Sequence, residues 1–227
     1  MGEDGIVEDS IVIAEAEADG LGVKEKMIFV GEVLFAEQGI NGASMREIAA
    51  KAGQRNNYAV QYHFGSREGL VRAIFEYRME QMESDRSAML KMAAENDLLM
   101  DARTLLDIIM IPQLALEDSD GNHSYASFLS QYLLRGQSMQ FGDFGSESPY
   151  HLARTLDLLR QRLGYLPNSV AQRRLVNGCL MFLNILVNHR GPGAAGGSRE
   201  PFDLALEDTM EMIVTSICMP LRVASRK

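Results

Sequence analysis

Ser44-Met45-Arg46-Glu47-Ile48-Ala49-Ala50-Lys51-Ala52-Gly53 is the stretch on which the reading of this chain turns. Ser44 followed three residues later by Glu47 has the form of a capping box, in which the hydroxyl bonds the Glu47 amide and the carboxylate reaches back. The box predicts a helix start at Ser44. Ile48, Ala49 and Ala52 supply a small apolar face, and Gly53 is a residue type that ends helices by adopting a left-handed conformation. Downstream, Gln54-Arg55-Asn56-Asn57 offers Asn56 or Asn57 as the cap of a short third helix, expected to run to about Tyr62. Phe64-Gly65-Ser66 then reads as a turn, with Ser66 capping a long fourth helix from about Arg67 to Met92. Upstream, Met27, Val30, Leu34 and Phe35 recur at i, i+3, i+7 and i+8, one stripe of a first helix from about Lys24 to Gln38 that closes at Gly39.

Two short helices joined at a glycine and flanked by a third helix describe a helix-turn-helix. Small residues at Ala49, Ala52 and Gly53 let the pair approach closely. Net charge over the 227 residues is −9, but its distribution carries more than its sum. Residues 1–23 hold seven acids and no base, which predicts a solvated, disordered tail. From Ser44 to Arg72 there are five bases against two acids, a locally basic segment in an acidic protein. Lys24 and Lys26 add two more bases just after the acidic tail.

The rest of the chain is punctuated as helices, with no convincing alternating strand pattern and no repeat. Helices are expected over Asp101–Leu116, ended or kinked near Pro112, and over Ser124–Arg135. A Gly/Ser-rich loop, 136–149, leads into Ser148-Pro149, read as a cap followed by proline at the first helical position, with a helix to about Leu163. Further helices are expected over Asn168–Asn188 and Phe202–Cys218, separated by the Gly/Ala/Pro loop 191–198. The longest apolar run, Leu175 to Val187, falls short of the ~20 residues that cross a bilayer. No signal peptide opens the chain, and Cys179 and Cys218 read as free thiols within helices, so a cytoplasmic protein is expected.

The segment from Met27 to Ile74 resembles the DNA-binding domain of the TetR family of regulators. The resemblance rests on LFAEQG (34–39), SMREIAAKAG (44–53), YHF (62–64) and SREGL (66–70), in order and near the family's spacing. One departure stands out: QRNNYAVQ, between Gly53 and the YHF triplet, is one residue longer than the commonest family pattern. The resemblance implies an all-α chain: a three-helix DNA-binding domain with its helix-turn-helix over 24–70, and a helical bundle over 71–220 for ligand binding and dimerisation. It implies phosphate contacts at Ser44, Arg67, Tyr62 and His63, although a half-buried helix end also accounts for Tyr62 and His63. Base reading falls to Gln54, Arg55, Asn57, Tyr58 and Gln61, since Arg pairs bidentately with guanine and Asn or Gln with adenine. Arg55 serves equally as a phosphate anchor.

The family further implies a ligand cavity among the middle helices and a dimer interface on the last two. Phe128, Tyr132, Met110, Met139, Met181 and Asn184 are the apolar or adaptable candidates for that cavity, with Arg103, His123, Gln131 and Asn177 as polar handles. Leu206, Met210, Ile213 and Ile217 form the interface stripe of the last helix. The four histidines share no ligand-like spacing, so no metal or other cofactor is expected. No nucleophile elbow or phosphate loop is present, so an enzyme is not expected. The expected partners are a palindromic double-stranded operator, a small apolar effector and a second copy of the chain, with no membrane. A repressor released by its effector is the leading reading. A helical-bundle enzyme and a non-sensing architectural DNA-binding protein are the alternatives.

Overall fold

A computed structural model describes residues 22–118, 121–134, 148–189 and 200–221. Among them the chain is all-α, with no strand. Four helices come first: α1 (Val23–Gln38), α2 (Met45–Lys51), α3 (Ala59–Phe64) and α4 (Arg67–Gln81). Then follow α5 (Glu83–Glu95) and α6 (Ala102–Met110), the latter continued by a 3-10 turn over Ile111–Leu116. The last four are α7 (Ser124–Leu134), α8 (Tyr150–Arg162), α9 (Asn168–Asn188) and α10 (Phe202–Cys218). The acidic tail through residue 21, most of the loop 136–149, and the loop 191–198 lie outside the described residues.

Packing divides the chain into two units, and the division does not follow the sequence. One unit takes the residues up to Gln81 together with 116–137, hence α7; the other takes 82–115 and everything from 138 onward. The unit that carries α2 and α3 is therefore larger than the 24–70 segment. Aromatic packing explains this. Phe75 of α4 lies 5.0 Å from Phe128 and 4.8 Å from Tyr132 of α7, and Phe35 of α1 stacks on Phe128 at 6.1 Å. The α1 stripe of Met27, Val30, Leu34 and Phe35 is buried as its spacing predicts.

A buried ion pair crosses this core. Arg78 of α4 donates through Nε and Nη2 to the two carboxylate oxygens of Glu32 on α1, at 2.7 and 2.8 Å. Ser124 at the start of α7 donates its hydroxyl to the same carboxylate, and the Phe29 ring lies 4.7 Å from the guanidinium. Hydrogen bonding and charge from Glu32 raise the Arg78 guanidinium above its ordinary value, although burial, the largest single influence, acts the other way.

In the second unit α8 packs on α5 and α6, and α10 packs on α9 and α6. Met210, Ile213 and Ile217 of α10 are fully buried. They meet α9 at Gly178, where a Cβ would stand 2.9 Å from both Ile213 Cγ2 and Ile217 Cδ1. The C-terminal carbonyls of α10 are satisfied by side chains: Arg174 donates to the carbonyls of Ile217 and Met219, and Tyr165 to that of Cys218. Both cysteines are free, and desolvation pushes the Cys179 thiol up to about 12.

Three expected boundaries are corrected. The long fourth helix does not reach Met92: it stops at Gln81 and restarts at Glu83, with Met82 at φ −88° and ψ −8°. No proline or glycine sits there, so side-chain contacts decide the break. Met82 is buried, and the Glu83 carboxylate accepts the α8 amides of His151 (2.9 Å) and Leu152 (3.3 Å). The same contact explains the second correction. Ser148 does not cap α8; Pro149 holds the cap position, and Glu83 takes over the orphan amides. The third helix, expected from Asn56 or Asn57 to Tyr62, instead spans Ala59–Phe64.

Candidate nucleic-acid interface

The core face of α2 is Ile48 and Ala49, both fully buried, with Ala52 beneath the turn. Gly53 then takes φ +72°, and the amides of Gly53 and Gln54 return to the carbonyls of Ala50 (3.0 Å) and Ala49 (2.9 Å). That is a Schellman closure, and it requires the left-handed residue that glycine supplies. Ser44 holds the N-cap position as expected, but its side chain caps nothing. The capping box is absent because Glu47 is drawn elsewhere: it pairs with Lys51 at 3.3 Å and accepts from Gln38 at 3.4 Å. The Ser44 hydroxyl is thereby left at the surface.

Between Gly53 and α3 the chain makes a second local structure. Asn56 Oδ1 accepts the Tyr58 amide at 3.0 Å, an Asx turn that places Tyr58, not an asparagine, at the N-cap of α3. Within α3, Ala59 and Val60 face the core. Gln61, Tyr62 and His63 are exposed, Tyr62 at 83% and Tyr58 at 64%. The Tyr62 and His63 rings meet edge to face at 5.0 Å.

The structure distributes the nine predicted contact residues unevenly. Ser44, Arg55, Asn57, Tyr58, Gln61, Tyr62 and His63 are all exposed. For Tyr62 and His63 the half-buried alternative is thus excluded. Gln54 is half-buried, and its amide turns back onto the Ala52 carbonyl at 3.1 Å. Arg67 departs most from expectation. Its guanidinium faces inward, donating to the carbonyls of Ile40 and, at 2.7 Å, Ala43, and lying 5.9 Å from the Phe35 ring. It clamps the α1–α2 loop instead of presenting a free cation. No sequence signal marks that role, because its partners are backbone carbonyls that any residue would offer. Arg46, Arg55 and Arg72 remain as exposed bases, and Lys24 lies 5.8 Å from the Phe64 ring at the end of α3. Ser66 caps α4 through the Gly69 amide at 3.1 Å, as predicted.

Eight of the nine predicted ligand contacts are described, and they fall in both units. Phe128, Gln131 and Tyr132 lie on α7 in the first unit, with Phe128 fully buried among aromatic rings. Met110 is fully buried in the second unit, and Asn177 is exposed on α9. Arg103 pairs with Asp107 (2.8 Å), Glu207 (2.6 Å) and Glu211 (2.9 Å). Met181 and Asn184 line an open groove of about 600 Å³ between α9 and α10, beside Ile185, His189, Ala205 and Met212. Met139 lies outside the described residues.

Among the described residues no group of His, Cys, Asp or Glu is placed to hold a metal ion, and no helix is long and apolar enough to cross a membrane. Residues 30–74, which contain α2, α3 and their connecting turn, match the family described as bacterial regulatory proteins, tetR family. No curated protein matches the chain.

Proposed function

We propose that this chain is a DNA-binding transcription regulator of the tetR family, a homodimeric repressor that a small, mainly apolar effector releases from a near-palindromic operator; the family match over residues 30–74 supports the DNA-binding part. The observation that carries the DNA-contacting part is the set of exposed side chains Arg55, Asn57, Tyr58, Gln61, Tyr62 and His63, gathered on α3 and the turn before it. Amides, a guanidinium and tyrosine rings are the groups that read base edges in a major groove, and Ser44, His63 and the Tyr62 hydroxyl supply phosphate contacts. Functionally, 24–70 remains the reading head and 71–220 the sensing and dimerising part.

Support for a homodimer comes from α9 and α10, where Val187, Leu204 and Met212 are bare at 38%, 58% and 53% exposure. A two-fold pairing of these helices would cover them, and two reading heads about 34–36 Å apart would meet successive major grooves. Support for effector control is the break at Met82. The first of the chain's three passages between the two units falls at this non-helical residue. An effector acts only by as much as its affinity differs between the conformers that fit the operator and those that do not.

The test is operator titration with the full chain, with and without hydrophobic metabolites that raise its thermal midpoint. Arg55→Ala and Gln61→Ala are each expected to lose ~1–3 kcal/mol of specific binding. Wild-type affinity in both variants would overturn the interface. Hits that stabilise the protein yet leave operator affinity unchanged would overturn effector control. A monomer by light scattering that still binds DNA would overturn the dimer.

A further inference from the structure

We infer that the operator half-site is centred on A·T base pairs, with guanine confined to one flank. The inference rests on the DNA-binding reading above and concerns which bases that face can recognise. Each base edge in the major groove demands its own chemistry. Guanine shows two acceptors and takes a cationic fork; cytosine shows an amino donor and takes a carboxylate. Adenine shows one acceptor and one donor and takes an amide, and thymine adds a methyl group that takes an apolar surface.

The exposed face lacks the first two almost entirely. No Asp or Glu occurs from Ile48 to Arg67, and Glu47 is already engaged by Lys51 and Gln38. Cytosine therefore has no acceptor waiting for it. Of the cations near α3, Lys51 is paired with Glu47 and Arg67 is folded onto the Ile40 and Ala43 carbonyls. Arg46 and Arg72 stand on α2 and α4 and Lys24 lies over the Phe64 ring, so within α3 and the turn before it Arg55 is the one Arg or Lys, three residues before the N-cap at one edge of the face. His63 at the other edge is a single imidazole with no fork for guanine O6 and N7.

Amides and apolar rings are what remain. Gln54 and Asn56 are spent on the turn, through Ala52 and Tyr58. Asn57 and Gln61 are exposed with no side-chain bond of this kind. Tyr58 and Tyr62, four residues apart, share one helical ridge with Gln61 beside them. Gln61 is thus placed to bond adenine N6 and N7 while the two rings lie against thymine methyls. Arg55 takes the flanking guanine.

The experiment is selection from a pool of random duplexes with the full chain at physiological salt. Enriched half-sites should carry A·T pairs at the centre and one guanine toward one end. Gln61→Arg should convert one central adenine preference to guanine, with a roughly 10- to 100-fold change in the ratio of the two affinities. A probe that leaves the protein untouched is uracil in place of a central thymine, which removes only the methyl group. It should weaken wild-type binding several-fold, and should do so less in Tyr58→Ser or Tyr62→Ser. Enriched half-sites with adjacent guanines at the centre would overturn the inference while leaving DNA binding intact, as would indifference to uracil. Absence of any enriched sequence would instead defeat the DNA-binding reading, and this inference with it.

Discussion

Two ion-pair clusters, one in each packing unit, handle charge in opposite ways. In the first, Glu32 is fully buried and Arg78 nearly so, and both carboxylate oxygens are engaged by the guanidinium. In the second, Arg103 bridges α6 to α10 with carboxylates that stand in water, Glu207 at 61% and Glu211 at 64% side-chain exposure. A buried pair in low dielectric tolerates few geometries and penalises every other, whereas an exposed cluster is screened and adapts. The first unit therefore gains a unique arrangement of α1, α4 and α7, the frame on which α3 is presented. In the second, α10 meets α9 by shape as well, at Gly178.

The contrast is broken or sharpened most sharply at Arg78. Arg78→Met leaves the Glu32 carboxylate buried without its partner and should lower stability by ~3–5 kcal/mol in thermal or denaturant unfolding. Replacing both, as Glu32→Leu with Arg78→Met, should recover much of that loss, because no unpaired charge remains. A double variant as weak as the single one would show that the pair stabilises outright and does not merely restrict the geometry.

Next in size is Gly178→Val, which forces side-chain atoms into Ile213 and Ile217 and should cost about 1–3 kcal/mol. If it is silent, shape is not what organises α9 and α10. Gly53→Ala is smaller. Nothing lies within 4 Å of the added Cβ, so only the φ of +72° opposes it, at about 1 kcal/mol.

Smallest is Arg103→Met, expected to shift the thermal midpoint by no more than ~3 °C at low salt and by less at high salt. Its pH dependence is defined by two carboxylates that move oppositely. The hydrogen bond from Arg103 holds Glu207 below its ordinary value of 4.5, so that contribution is present above pH 4.5 and fades as pH falls below it. Burial raises Asp107 above 3.8, despite Arg103, so Asp107 opposes folding slightly as it ionises and offsets part of the gain. Acid titration of wild type and variant should therefore bring the two together as the pH falls below 4.5 and Glu207 protonates. A large gap persisting there would mean that Arg103 acts through packing of its stem.

Elements with strong periodicity and clear stops were legible from residues alone. α9 and α10 begin and end where Asn168, Asn188, Phe202 and Cys218 predict, and α1 extends only one residue further than expected. The exposed members of the reading face were legible too, because they follow from helical spacing and the glycine turn. Arg67 and Gln54 were not. Both carry polar groups that solvent or backbone can satisfy equally well, and only the folded loop shows that carbonyls come first. The ligand set was the least legible, since its members share a chemical character that helix cores also have.

By itself the amino-acid order determined the helical class, the left-handed glycine at Gly53, and an outward face rich in amides and tyrosines. These follow from local rules: backbone conformation at one residue, and the 3.6-residue period over a few turns. Only the tertiary structure decided that the helix after Ser66 breaks at Met82, that α7 belongs with the reading head, and that Glu32 rather than a surface acid meets Arg78. Each depends on which groups arrive from distant parts of the chain: Glu83 at the amides of α8, Phe128 and Tyr132 at Phe75, and Ser124 at Glu32. Their energies arise only once the faces that local periodicity creates have been assigned to one another.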